Sequence, residues 1–225
     1  MAMLLITLPF AKKGAAAPAP KAPKPAAVPL ATADETAALR RQLADAKLSL
    51  ELYRIVLERY QKFIEDGEAK SVAELRELVR PLDSVVTEMK IVISDQFHPY
   101  LYEKHFLPAV EKALDLIFAF KPVSLPVNFW LSFNDMSRLH AADDIDRAIL
   151  LCSLLRSLGS ESARVLIDKG KGAWVSFIYG DKQYMVDIAK RTMTAYPAAD
   201  DGLKVMLRSV QYAFNDREYE DLSEG

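Results

Sequence analysis

Ala142-Asp143-Asp144-Ile145-Asp146-Arg147-Ala148-Ile149-Leu150-Leu151-Cys152-Ser153-Leu154-Leu155-Arg156-Ser157-Leu158-Gly159 is the stretch that decides the fold of this chain. Between Asp143 and Leu158, the side chains of Ile149, Leu150, Leu151, Cys152, Leu154, Leu155 and Leu158 fall on nearly every side of a helix. A helix that is apolar all round is a central, buried one. Asp143 stands where an N-cap oxygen satisfies a first-turn amide, and Asp146 at the third helical position, the acidic place of a capping box. Cys152 lies about two turns into the helix and reads as a buried, inert thiol.

Downstream the period changes to that of strands. Trp174 to Tyr179, Gly180-Asp181 and Gln183 to Asp187 read as a hairpin with a short Gly-Asp turn. Tyr212-Ala213-Phe214 reads as a last edge strand, Asn215-Asp216 as a turn, and Arg217 to Gly225 as an acidic, fraying end. The class is therefore α+β, with a central buried helix packed on an antiparallel sheet.

Upstream, Leu39, Leu43, Ala46, Leu50, Tyr53, Leu57, Tyr60 and Ile64 recur at alternating steps of four and three, a heptad seam. Thr32 or Asp34 suits the start of that helix and Gly67 its end. Leu52, Ile55, Val56 and Phe63 widen the apolar surface in its second half. Two readings stay open, packing of the helix against the chain's own domain and a dimeric coiled coil. Ser71-Val72-Ala73-Glu74 reads as a capping box opening a helix that stops near Arg80, before Pro81; helix resumes from Leu82 to Ile93. Phe97-His98-Pro99-Tyr100 is a break, and Leu107 to Phe120 an amphipathic helix. His98 and His105 lack the spacing of a helical metal pair and read as packing or surface residues.

The segments around the buried helix resemble the transglutaminase-like superfamily, whose members have a papain-like fold and a Cys-His-Asp triad. The likeness runs from roughly Phe129 to Asp187. Trp130-Leu131-Ser132 and Met136 to His140 look like the lead-in to the catalytic helix. Ala142-Asp143-Asp144-Ile145-Asp146 stands where members commonly read Gly-Asp-Cys-Glu-Asp, and Gly172-Ala173-Trp174-Val175 where they read His-Ala-Trp-Val. Asp187 falls at the place of the triad acid. The resemblance thus implies Asp144 in place of the cysteine and Gly172 in place of the histidine, so that two of three catalytic groups are missing. A carboxylate at Asp144 is a weak nucleophile towards an amide, and without an imidazole at 172 no group shuttles the proton. The implied organisation is an apolar tip with an Ala/Pro/Lys-rich disordered linker over 1–32, a helical extension over 33–95, and a transglutaminase-like domain over 96–225.

The function expected on this basis is non-catalytic: a protein-binding or scaffolding module, a pseudoenzyme without a cofactor. Trp130, His140, Asp143, Asp144, Trp174 and Asp187 are its candidate ligand-binding residues. Asp143, Asp144 and Asp146 also read as a cap and helix-end acids; with Asp187 they are weak candidates for a hard-cation site, and Asp143, Asp144 and Asp187 for a metal-dependent or carboxylate-based hydrolase. His140, four residues before Asp144, reads mainly as a cap or surface residue.

Composition narrows the partners. With 225 residues and a net charge of −2, the chain has no broad basic footprint for nucleic acid. One cysteine excludes an internal disulfide and points to a reducing, cytoplasmic setting. Met1 to Phe10 is apolar but too short for a bilayer-spanning helix, which takes roughly 20 residues. Its lysines follow the apolar segment, the reverse of a secretory signal. Gly14 to Leu30 reads as a semi-rigid, PPII-rich linker. A protein partner is therefore expected at the apolar tip or the helical extension, a homodimer is one form of it, and an assembly or membrane-tethered adaptor is the alternative.

Overall fold

The computed structural model describes residues 33–66, 72–124, 130–170, 172–197 and 207–222, with the backbone alone at 60–66, 72 and 73. The apolar tip, the linker, Ser71 and the side chains of Tyr60, Phe63 and Ile64 lie outside the described residues. In chain order the elements are α1 (Ala33–Asp66), α2 (Val72–Glu77), α3 (Ser84–Ser94), α4 (Tyr102–Phe118), β1 (Lys121–Pro122), α5 (Phe133–Leu139), β2 (Ala141–Ala142) and α6 (Asp144–Ser157). Strands follow as β3 (Arg164–Asp168), β4 (Ala173–Tyr179), β5 (Lys182–Asp187), β6 (Thr192–Pro197), β7 (Val210–Phe214) and β8 (Tyr219–Asp221). The architecture is α+β, as expected.

The helix read from the opening stretch is α6, and ten of its 14 residues are buried. One side of it meets α3 and α4, the other the sheet through β3 and β4. That sheet is antiparallel throughout, in the order β6-β5-β4-β3-β7-β8. Its strands alternate, so Val165, Val175, Phe177 and Val186 face α6, while Leu166, Met185 and Ala213 form a smaller cluster on the other face.

The expected hairpin is β4–β5, with Gly180 supplying the positive φ of its turn. Tyr212–Phe214, expected at an edge, is instead interior, because β7 pairs with both β3 and β8. Asn215 is the cause. Buried, it accepts from the Arg217 and Glu218 N–H groups at 2.8 Å each and donates to the Ala163 carbonyl at 3.2 Å. The chain therefore reverses tightly enough to pair Phe214 with Tyr219, and the segment expected to fray adds a strand.

Two helix ends also shift from their expected places. α2 stops at Glu77 rather than near Arg80, and α3 starts at Ser84, because Asp83 accepts from the Val85 N–H and caps it. The connection between them donates the Arg80 N–H to Ser153 of α6 at 3.0 Å, a tertiary bond that competes with continued helix. His105 accepts from the Leu101 N–H and stacks on Phe97, while His98 is exposed, so both serve packing and surface.

Residues 1–44 and 45–225 separate as two compact units. Within the larger one, α3 belongs to the same core as α4 and α6, to which it adds Val85, Val86 and Ile93, and the connection after α2 adds Val79. Residues 45 to 95 thus lie in one compact unit with the residues that follow them. α1 joins this unit through Leu52, Ile55 and Val56, all buried, with Leu48 partly buried beside them. Arg59 reinforces the contact through an ion pair with Asp135 and hydrogen bonds to the Trp130 carbonyl and Ser132. No described helix is long and apolar enough to cross a membrane.

The heptad residues Leu50, Tyr53 and Leu57 stay exposed on the opposite side of α1. Leu52→Ala or Ile55→Ala should therefore cost about 2–3 kcal/mol of unfolding free energy in dilute solution. Leu50→Ala should change it by less than about 0.5 kcal/mol. Equal losses for the two sets in chemical denaturation would show that the faces are misassigned.

Candidate functional site

A two-residue parallel ladder fixes the entry to α6. Lys121 and Pro122 pair with Ala141 and Ala142, the Lys121 N–H donating to the His140 carbonyl at 2.8 Å and the Val123 N–H to that of Ala142. His140 itself is exposed, in a left-handed conformation that ends α5. Its backbone, not its ring, shapes the site. Asp143 then caps α6, accepting from the Asp146 N–H at 2.7 Å. Asp146, buried, accepts from the Leu131 N–H at 3.0 Å through Oδ1, whereas its Oδ2 has no partner. The capping reading of these two aspartates describes their geometry well.

Electrostatics adds what spacing did not reveal. The amino end of a helix favours carboxylates, but here burial wins. Desolvation, aided by the Asp144 charge, raises the Asp143 carboxyl above its ordinary range. Desolvation also raises Asp146 strongly, and the nearby Asp143 charge adds to it. In this desolvated space each carboxyl raises the proton affinity of the pair. Asp144 points elsewhere, towards Arg147, whose Nη1 lies 3.4 Å from its Oδ1. Arg147 is itself buried and donates to the Phe120 carbonyl at 2.5 Å. That cation within an apolar run is the residue the sequence reading passed over, and its length among six short or aliphatic neighbours was the available signal.

Asp187 belongs to another surface. It pairs across the hairpin with Trp174, on the sheet face of Met185 and away from α6. Burial pushes its carboxyl up, but the Lys190 N–H and ammonium and the Trp174 indole N–H outweigh it and hold the group below its usual range. The other end of the same indole lies over Gly172. A Cβ built at 172 would stand 2.7 Å from Trp174 Cη2 and 3.0 Å from Asp168 Oδ2. Gly172 instead closes the β3–β4 connection, donating its N–H to Asp168 Oδ1. The Trp174 ring thus fills the space above Gly172, and its N–H holds the Asp187 carboxylate.

No protein family, curated protein or solved structure matches the chain.

Trp130 is half-buried beside the core, and its carbonyl receives Arg59. The structure therefore brings Trp130, Asp143 and Asp146 together near the start of α6 and puts Trp174 with Asp187 on the far sheet face. Among the described residues, no three His, Cys, Asp or Glu side chains converge as a metal site would require. Trp174 and Asp187 line a cleft of about 240 Å³ with Lys190, Thr192, Thr194 and Tyr196. A neighbouring cleft of about 360 Å³ has an apolar floor of Leu166 and Ala213 and a rim bearing Arg164, Arg208 and Glu220. Cys152 is fully enclosed, and desolvation pushes its thiol far up, which suppresses the reactive thiolate.

Two outcomes follow from this chemistry. A carboxyl whose native pKa is raised makes the folded chain bind more protons than the unfolded one, between the unfolded value of about 4 and the raised value. Stability therefore falls as pH rises through that window. Asp146→Asn should flatten this fall and melt higher than the wild-type chain at neutral pH; a lower melting temperature there would refute the assignment. Cys152 should resist iodoacetamide at pH 8 in the native protein and react once denaturant is added, as read by intact mass.

Proposed function

We propose that this chain is a non-catalytic protein-binding or scaffolding module built on a degenerate transglutaminase-like domain. The observation that supports this most is the Trp174 ring, which spans Gly172 and the Asp187 carboxylate. The ring leaves no room for a side chain at 172, so no imidazole can stand there beside the acid, which forms an ion pair with Lys190 instead. At the end of α6 the nucleophile's place is taken by Asp144, a half-exposed carboxylate turned towards a buried guanidinium. Nucleophilic catalysis needs a nucleophile and a base within hydrogen-bond reach of each other. Asp144 and Asp187, on different surfaces, do not supply that pair.

The second reading is the metal-dependent or carboxylate-based hydrolase using Asp143, Asp144 and Asp187, and the raised Asp143 carboxyl favours it, since such a group is a competent general acid. The place of Asp187 on the other sheet face, away from the start of α6, weighs against it. The adaptor reading through the apolar tip concerns residues outside those described. A reducing, cytoplasmic setting fits the lone buried thiol.

Affinity capture with the full chain from its native cells tests the proposal. Wild type and Asp144→Asn, which keeps an acceptor for Arg147, should retain the same partner in equal yield. Turnover of an identified substrate that drops by about a hundredfold or more in Asp144→Asn or Asp143→Asn would overturn it in favour of the hydrolase.

A further inference from the structure

We propose that α1 dimerises the protein, its exposed heptad face pairing in parallel with the same face of a second copy of the chain. The inference rests on the binding-module reading and gives that module a specific partner. It starts from a separation of faces along one helix. Leu43, Leu50 and Leu57 occupy one core position of successive heptads, and Leu39, Ala46 and Tyr53 the other. Leu39, Leu43, Leu50, Tyr53 and Leu57 are between 52 and 69 % exposed. The residues that bind α1 to its own domain, Leu52, Ile55 and Val56, are at most 7 % exposed. At about 100° per residue, the centres of the two stripes are about 150° apart around the helix. Attachment to the domain therefore leaves the heptad face uncovered.

The period of that face limits what fits it. Apolar residues spaced 3.5 apart form a narrow seam that stays in contact only with another helix of the same period, each side chain entering a hole of the facing helix. A helix lying in a membrane interface needs a much broader apolar face. The charges then choose the occupant and its direction. In a parallel pair of identical helices, Glu35 of one copy lies across from Arg40 of the other, Gln42 from Lys47, and Ser49 from Arg54. No like charges meet. An antiparallel pair would bring the row Arg40, Lys47 and Arg54 against itself. Ala46 is small for a core position and Tyr53 polar at its tip, so the dimer is weak and depends on concentration.

Sedimentation equilibrium of the full chain, from low micromolar to sub-millimolar, is the test. The expected result is a reversible monomer–dimer equilibrium that Leu43→Glu with Leu50→Glu weakens by about tenfold or more. Both sites are exposed, so the melting temperature at low concentration should stay unchanged. In parallel, Leu39→Cys should cross-link two copies under mild oxidation, whereas the wild-type chain, with only the enclosed Cys152, should not. If the double variant loses helical signal, the Leu39→Cys cross-link decides alone, because it leaves the rest of the seam intact. A chain monomeric at every concentration overturns the proposal, as does a dimer indifferent to the double substitution. A dimer in which Leu39→Cys fails to cross-link overturns the parallel arrangement. A monomer that still captures another protein ends the proposal and spares the binding-module reading, and a monomer that captures nothing ends both.

Discussion

Burial of α6 on all sides is the constraint from which the rest of the structure follows. A helix with ten of 14 residues out of water must be covered completely, and one sheet covers only one side. α3 and α4 close the other side, and α1 adds Leu52 and Ile55 to the same core. Polar groups inside this assembly then need partners. Ser153 receives the Arg80 N–H, Arg147 reaches the Phe120 carbonyl, and Asp146 takes the Leu131 N–H. Each of these bonds ties a connection between helices to α6, which places those connections without secondary structure of their own.

The same burial gives the start of α6 its electrostatic character. Helix ends attract carboxylates by a fraction of a unit charge, while removing a carboxylate from water costs much more when no cation compensates. Arg147 is the near cation, but it faces Asp144. Asp143 and Asp146 are left to share the desolvated space, which raises the proton affinity of both. Across the sheet, Asp187 has Lys190 and the Trp174 N–H, and it stays charged. Four aspartates that look alike in the sequence are thus a cap, a buried acid, a cation's partner and a turn anchor.

Much of this was legible beforehand. The all-round apolar run identified α6, and Asp143 and Asp146 took the cap positions their spacing indicated. The Gly180-Asp181 turn fixed the hairpin, and counting back from it already places Trp174 opposite Asp187. The β7 strand was misjudged as an edge because the turn after it is held by Asn215 bonding to Ala163, 52 residues away. The seam of α1 was legible as a seam. That a second, opposed stripe would do the packing was only hinted at by Leu52, Ile55 and Val56.

Periodicity and local chemistry are properties of neighbours along the chain, so the sequence by itself determined the buried helix, its cap, the hairpin and the two apolar stripes. Only the tertiary structure decided which stripe of α1 is covered, which aspartates are desolvated, and that the Trp174 ring fills the space above Gly172. Those outcomes depend on what distant segments place beside a residue. Desolvation and steric exclusion act through space, between groups that the chain order keeps apart.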